Sequence, residues 1–287
     1  NRKQVVSCSA FALVVLWAIA LVCHRRIVAE DVEGQEIVNS DADLLTAVPS
    51  DAVMVYEFAT LEELRRLYFS PESSFSVMVN PKSELAKGIA MIPQEFDDAS
   101  VLLSLHYSSK NTVSFLMVLS IEDKKERDAL MGVMKEECEG VITKKYGGAT
   151  IYKAVIPDLS YSFYNNFFIA STSHVTVESA IRHLDNNTSI LDDKEFVAVA
   201  EHSNTKSALH VNNSNIGKFF SGAVNTKYLG YSKFVSSFAT WSSFDIGSSD
   251  TKISAEGEFV SKKAEESFLN VFSSLKGGKS DLYEVIP

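Results

Sequence analysis

The sequence predicts an α+β fold: a mostly antiparallel sheet built from hairpins, with helices packed on one face, preceded by a single N-terminal transmembrane helix. Three observations predict it. Alternating β-rich runs meet across Gly147-Gly148 and Asn165-Asn166, dipeptides that supply the positive φ a two-residue hairpin needs. Amphipathic stripes of helical spacing interrupt these hairpins, a succession that argues for α+β rather than for a parallel βαβ sheet. Finally, Val5 to Cys23 form a run of 19 residues without a charge.

At the helical rise that run reaches ~28 Å, about the thickness of a hydrocarbon core. Arg2 and Lys3 precede it, and His24, Arg25 and Arg26 come immediately after. Residues 1–26 therefore read as an uncleaved anchor, with Val5, Leu13, Leu16, Trp17 and Leu21 facing the bilayer. A cleaved signal peptide, a lipid-modified Cys8 or Cys23, and a buried core helix are the competing readings. The first needs a shorter apolar run and a small-x-small cleavage site, whereas this run ends Leu21-Val22-Cys23 and continues into His-Arg-Arg, and Val22 is bulky for a residue preceding a lipidated cysteine. The basic residues on the two flanks tie, so they leave the orientation open. Residues 27–43 are acidic and poor in large apolar side chains, and read as a spacer.

An α+β domain then spans residues 44–280. Val53 to Phe58 alternate as a strand. Thr60-Leu61-Glu62-Glu63 has the spacing of a capping box, and Leu61, Leu64, Leu67 and Tyr68 share one helical face. Asn80 and Pro81 suit the N-cap and first position of a second helix, which turns Leu85, Ile89 and Ile92 inward. Val101–Tyr107 and Thr112–Leu119 form a hairpin. The next helix, over Glu122–Cys138, has Ser120 as its cap and Leu130, Val133, Met134 and Cys138 as its stripe. Val141–Tyr146 and Thr150–Ile156 flank the two glycines, and Tyr161–Tyr164 and Phe167–Ser171 flank the two asparagines.

Val177, Ala180, Ile181 and Leu184 mark the next helix. Asp192 and Glu195 cap another, which buries Phe196, Val199 and Ala200. Ser207–Asn213 is a strand, and Ser214 caps a helix carrying Ile216, Phe219 and Phe220. Phe238–Ile246 and Thr251–Val260 form a second hairpin. Its second strand sets Ile253, Ala255, Gly257 and Phe259 against Lys252, Ser254, Glu256 and Glu258, the pattern of a sheet with one wet face. A last helix, Lys262–Leu275, stops at Gly277-Gly278. Hairpin-then-helix thus occurs twice, over 101–138 and 238–275, which suggests two sub-repeats. Asp43–Pro49 (DLLTAVP) is also echoed by Asp281–Pro287 (DLYEVIP), so residues 281–287 read either as the start of a second, related module or as a coincidence of short apolar stretches.

The chain carries 27 Lys and Arg against 37 Asp and Glu, a net charge of −10. Only Arg2 and Lys3 of its basic residues precede the anchor, so the acidic excess belongs to the residues after it. That balance argues against nucleic acid and against adhesion to anionic lipid. Cys138 is the only cysteine outside the apolar segment, which leaves no intramolecular disulfide and no cysteine-based metal site. No Walker or Rossmann glycine loop, no H-E-x-x-H and no G-x-S-x-G occurs. His106, His174, His183, His202 and His210 lack metal spacing and read as surface or cap residues. Asp97-Asp98 and Asp192-Asp193 suit loop and cap roles better than a cation. No catalytic residue, cofactor or metal is assigned. The aromatic cluster Tyr161, Phe163, Tyr164, Phe167 and Phe168 stands out. On a hairpin half of it faces the core, and the other half is the candidate partner surface.

Ala47-Val48-Pro49-Ser50-Asp51-Ala52-Val53, followed by a strand and Leu61-Glu62-Glu63-Leu64, resembles the opening of an uncharacterised, Bacteroidetes-type family of membrane-anchored exported proteins, a domain of unknown function. The resemblance implies an envelope location and brings no activity or catalytic residue with it. The expectation is a non-catalytic protein of a bacterial inner membrane, single-pass, with its soluble domain in the periplasm. It would contact the bilayer through residues 5–23 and serve as a scaffold or accessory subunit for other envelope proteins. The alternatives are an enzyme acting on envelope polymers and a binder of lipid or a small apolar ligand.

Overall fold

The computed structural model describes residues 43–69, 82–109, 112–201, 207–216, 237, 239–249 and 252–260. The anchor, the spacer to residue 42, the expected helix over 262–275 and the 281–287 echo lie outside the described residues. So do Asn80, Pro81, His202, Phe219 and Phe220.

Among the described residues ten strands form one sheet. They are β1 (Met54–Phe58), β2 (Val101–Ser109), β3 (Thr112–Ser120), β4 (Ile142–Tyr146), β5 (Ala149–Ala154), β6 (Leu159–Tyr164), β7 (Phe167–Ser171), β8 (Ala208–Asn212), β9 (Trp241–Ser249) and β10 (Lys252–Val260). Their order is β10-β9-β8-β1-β2-β3-β7-β6-β5-β4, and every neighbouring pair is antiparallel. Read outwards from the β1·β8 junction, each side gives a first strand and then a hairpin. The two units are thus disposed about that junction as a two-fold axis normal to the sheet would place them. The meander β4–β7 extends the sheet beyond β3.

Among the described residues the helices with both ends placed are α1 (Leu61–Phe69), α2 (Glu84–Met91), α3 (Lys124–Glu137), α4 (His174–Asp185) and α5 (Lys194–Ala200). They cover both faces of the sheet, not one. On one face α1, α2 and α3 pack Leu61, Leu64, Ile89, Leu130 and Met134 onto Phe58, Leu103, Met117, Leu119 and Phe168. On the other, α4 and α5 pack Val177, Ile181, Phe196 and Val199 onto Val55, Leu102, Leu116, Val118 and Ile169, together with a 3-10 turn over Leu44–Ala47. An apolar stripe tells that a helix buries one side but not which side of a sheet receives it, so the one-face expectation fails here.

Local signals explain most boundaries. Thr60 Oγ1 accepts from the N–H of Glu63 at 3.2 Å and starts α1 as expected. Glu63, however, does not close a box. Its carboxylate accepts from Ser207 Oγ at 2.5 Å. Four expected caps move, among them Ser214, which lies inside the helical residues 213–216 while Asn212 Oδ1 accepts from the N–H of Asn215 at 3.1 Å. Ser83 caps α2, accepting from the N–H of Ala86 at 3.1 Å. Asp123 caps α3 through the N–H of Glu126 at 2.9 Å, because Ser120 still belongs to β3. Asp193 caps α5, while Asp192 completes a capping box with Ser189 one turn earlier. β9 begins at Trp241 rather than at 238. In β10, Glu256 and Glu258 are exposed while Ala255, Gly257 and Phe259 are half-buried, so that alternation is as read.

Both two-residue turns are present. Asn165 has φ 51° and Gly147 has φ 55°. Gly147 has a second reason to be glycine: a Cβ there would lie 2.4 Å from Asp185 Oδ2. Asp185 is held in place by the Tyr164 hydroxyl, which donates to it. Among the described residues no helix is long and apolar enough to cross a membrane.

Candidate functional site

The aromatic cluster is core. Tyr161, Phe167 and Phe168 are buried, and Phe163 and Tyr164 are half-buried. Tyr161, Phe163 and Phe168 pack ring on ring with centroids 5.1–6.3 Å apart, under α1–α3. Phe167 points to the opposite face, among α4 residues. The candidate partner surface therefore loses Tyr161, Phe167 and Phe168 to the core.

Two histidines expected on the surface are instead buried, His106 at 3% exposure and His210 at 0%. His106 sits on β2, where Ser104 two residues earlier shares its face. His106 Nε2 lies 2.8 Å from Ser104 Oγ, and Nδ1 lies 3.1 Å from Asp51 Oδ1. A carboxylate only accepts, so Nδ1 carries a proton. The hydrogen bond from His106 is the main reason the Asp51 carboxyl is held below its ordinary value; desolvation opposes it. Ser, His and Asp thus have the connectivity of a hydrolytic triad. The nucleophile position defeats that use. Ser104 is only 1% exposed, in mid-strand between Val55 and Leu116, both in the apolar cluster under α4 and α5. A substrate carbonyl has no approach to its Oγ, so the relay is a satisfied buried polar network. It ties the loop before β1 to β2.

His210 on β8 makes the matching tie at the junction of the two units. Its Nε2 lies 2.8 Å from Glu57 Oε1 on β1. Its ring stands edge-on to Phe196, centroids 5.2 Å apart, and Phe196 packs on Trp241. The Trp241 indole donates to Asp193 at 2.9 Å. Desolvation raises the Asp193 carboxyl, but the hydrogen bonds with Glu195, Trp241 and the N–H of Phe196 outweigh it and leave the group below its ordinary value. Both acidic pairs serve structure: Asp97 binds Arg65 at 2.8 Å, and Asp192 and Asp193 are caps. Among the described residues no group of three or more His, Cys, Asp or Glu is placed to hold a metal ion.

The exposed chemistry lies at the β4 end of the sheet. Residues 139–145 are all exposed. Four aliphatic side chains cluster there: Ile142 is 66% exposed, Val155 65%, Ile156 56% and Val141 36%. The backbone brings them together, since Glu139 bridges to Ile156 and Ile142 stands opposite Lys153. A Cβ on Gly140 would touch Val155 Cγ2 at 2.9 Å, so the strand entry fits only glycine. Three lysines frame the apolar group. Lys144 pairs with Glu178 of α4 at 2.7 Å, Lys145 donates to Thr150 Oγ1 at 2.6 Å, and Lys153 is exposed. Val141 and Ile142 were visible in the sequence as strand residues. What it could not tell was that nothing in the described structure covers them. Compared with family models, curated proteins and solved structures, the chain matches none.

Proposed function

We propose that this chain is a non-catalytic, membrane-anchored protein of a bacterial envelope that binds another protein through the β4 edge. The observation that carries the reading is the edge itself: a terminal strand with four exposed aliphatic side chains at its open end. An edge strand offers unpaired backbone donors and acceptors, and exposed aliphatics beside it supply the apolar contact that a partner buries. The uncharged run of residues 5–23 supports the anchor and a single pass through the inner membrane, while the acidic balance of the residues after it is compatible with placement of the domain on the periplasmic side. The acidic balance supports a protein partner rather than a nucleic acid. Kinship with membrane-anchored exported proteins of the Bacteroidetes type is part of the same proposal. A hydrolase reading would draw on Ser104, His106 and Asp51, and the burial of Ser104 speaks against it.

Purification of the full-length protein from its native membrane in a gentle detergent, followed by mass spectrometry, tests the reading. A companion at fixed stoichiometry is expected, lost when Ile142 and Val155 are both replaced by Asp. A solitary protein at native expression overturns the subunit reading.

A further inference from the structure

We propose that the partner adds an extended strand to β4 and that this strand is acidic. The inference rests on the protein-binding reading and names the chemistry of the partner at that same edge. Among the described residues β4 pairs only with β5. In an antiparallel ladder every second residue turns its N–H and C=O away from its neighbour, so β4 presents a row ready for one more strand.

The side chains say which strand fits. Ile142 and Lys144 lie on the face of Ile151 and Glu178, whereas Thr143 and Lys145 lie on the face of Thr150 and Tyr152. No carboxylate occurs in Ile142–Tyr146, in a protein whose net charge is −10. Glu178 and Thr150 hold the two ammonium groups beside the strand, where both side chains stay exposed to a partner. A second copy pairing β4 with β4 about a two-fold axis would bring lysines against lysines, which is unfavourable. A neutral aliphatic strand would desolvate Lys145, which has only the neutral Thr150 hydroxyl beside it, without a counter-charge. A strand with two adjacent carboxylates opposite Lys144 and Lys145, and an aliphatic residue two places further on opposite Ile142, meets each side chain with its complement. Val141, Val155 and Ile156 then receive the aliphatic end. Edge lysines ordinarily guard against indiscriminate pairing. Here the same pair admits one class of strand and rejects the others.

A photo-crosslinking residue in place of Thr143, in the full-length protein at native expression in its own cells, tests this by sequencing of the crosslinked peptide. The expected product is an extended segment with adjacent Asp or Glu and an aliphatic residue two places away. Lys145→Glu should cut the yield roughly fivefold or more, from loss of the cross-strand pair plus the new repulsion, whereas Lys145→Arg should keep it. A crosslinked segment without acidic residues, or an undiminished yield from Lys145→Glu, overturns the acidic-strand inference and leaves protein binding standing. No crosslinked protein at all overturns both.

Discussion

β7 and β4 are five-residue strands of the same sheet, and they meet opposite environments. Every residue of β7 (FFIAS) is buried. In β4 (ITKKY) the first four are exposed and only Tyr146 is half-buried. β7 has a strand on each side and helices on both faces, so both of its side-chain rows face apolar cover. Among the described residues β4 pairs with β5 alone, and α4 meets its exposed part through Glu178. The comparison teaches that burial in this sheet is set by position in the strand order more than by hairpin membership, since both strands close two-residue turns. It also separates what holds the protein together from what is free to meet a partner.

Mutation should separate the two strands by energy. Phe168→Ala on β7 is expected to cost about 3–5 kcal/mol, the transfer and cavity cost of a buried ring. Ile142→Ala on β4 should cost less than ~0.5 kcal/mol, as at other exposed positions. Urea unfolding of the full-length chain in mild detergent measures both, and similar values for the two would remove the distinction. Next in size is Glu57→Ala, which strips His210 of its partner at the β1·β8 junction. Leaving a buried hydrogen-bonding group unsatisfied costs about 1–3 kcal/mol. The Lys144–Glu178 pair at the β4 edge offers the contrast, because Lys144→Ala should cost at most ~1 kcal/mol.

Gly147→Ala probes the turn that sets the β4 register. The left-handed backbone costs a side chain roughly 1–2 kcal/mol, and the close approach to Asp185 adds to it. Amide exchange should quicken along β4 and β5 and stay unchanged in β7. If β7 quickens equally, the two strands open as one unit.

The smallest effects are those of pH, and two carboxyls near the start of the fold oppose one another. Asp51 has its folded value lowered by His106, so its contribution is present above the ordinary carboxylate value near 3.8 and is lost as pH falls through the lower folded value. Asp43 has its value raised, first by desolvation and also by Glu57, with the N–H of Leu45 opposing. Its contribution is present below that same ordinary value and is lost as pH rises through the raised folded value. Asp51→Asn should therefore flatten a plot of urea midpoint against pH from about 3.8 downward, and Asp43→Asn should flatten the opposite slope from about 3.8 upward. The Asp51 effect should be modest, because its side chain remains largely exposed. An unchanged profile in Asp51→Asn would mean that the His106 bond contributes nothing to folding.

What could be read from the sequence was local. Gly147-Gly148 and Asn165-Asn166 announced their turns because few residues tolerate positive φ. Leu61, Leu64, Val177 and Ile181 announced helices because a buried face repeats at helical spacing. The coarse α+β class with a large antiparallel sheet comes from those signals. The pairing of β7 with β3 and of β8 with β1 does not, since nothing in a strand's own alternation names a partner so distant. The histidines were misread for the same reason. His106 and His210 are polar letters in alternating runs, and only Asp51 and Glu57, brought in by long-range pairing, make their burial tolerable. The β4 edge was hidden from the opposite direction. Val141, Ile142, Val155 and Ile156 are apolar, and pattern alone assigns apolar strand residues to the core.

The β1·β8 junction has a consequence for biosynthesis. Glu57 of β1 waits for His210, which lies 153 residues further along the chain. At about 5–20 residues per second, the ribosome needs roughly 8–30 s to make that interval. For that time β1, β2 and β3 can pair with one another while the far side of β1 stands open. An interior strand of the finished sheet is thus, during synthesis, an edge. A cell making this protein has to keep that edge from other chains for longer than most hairpins take to form.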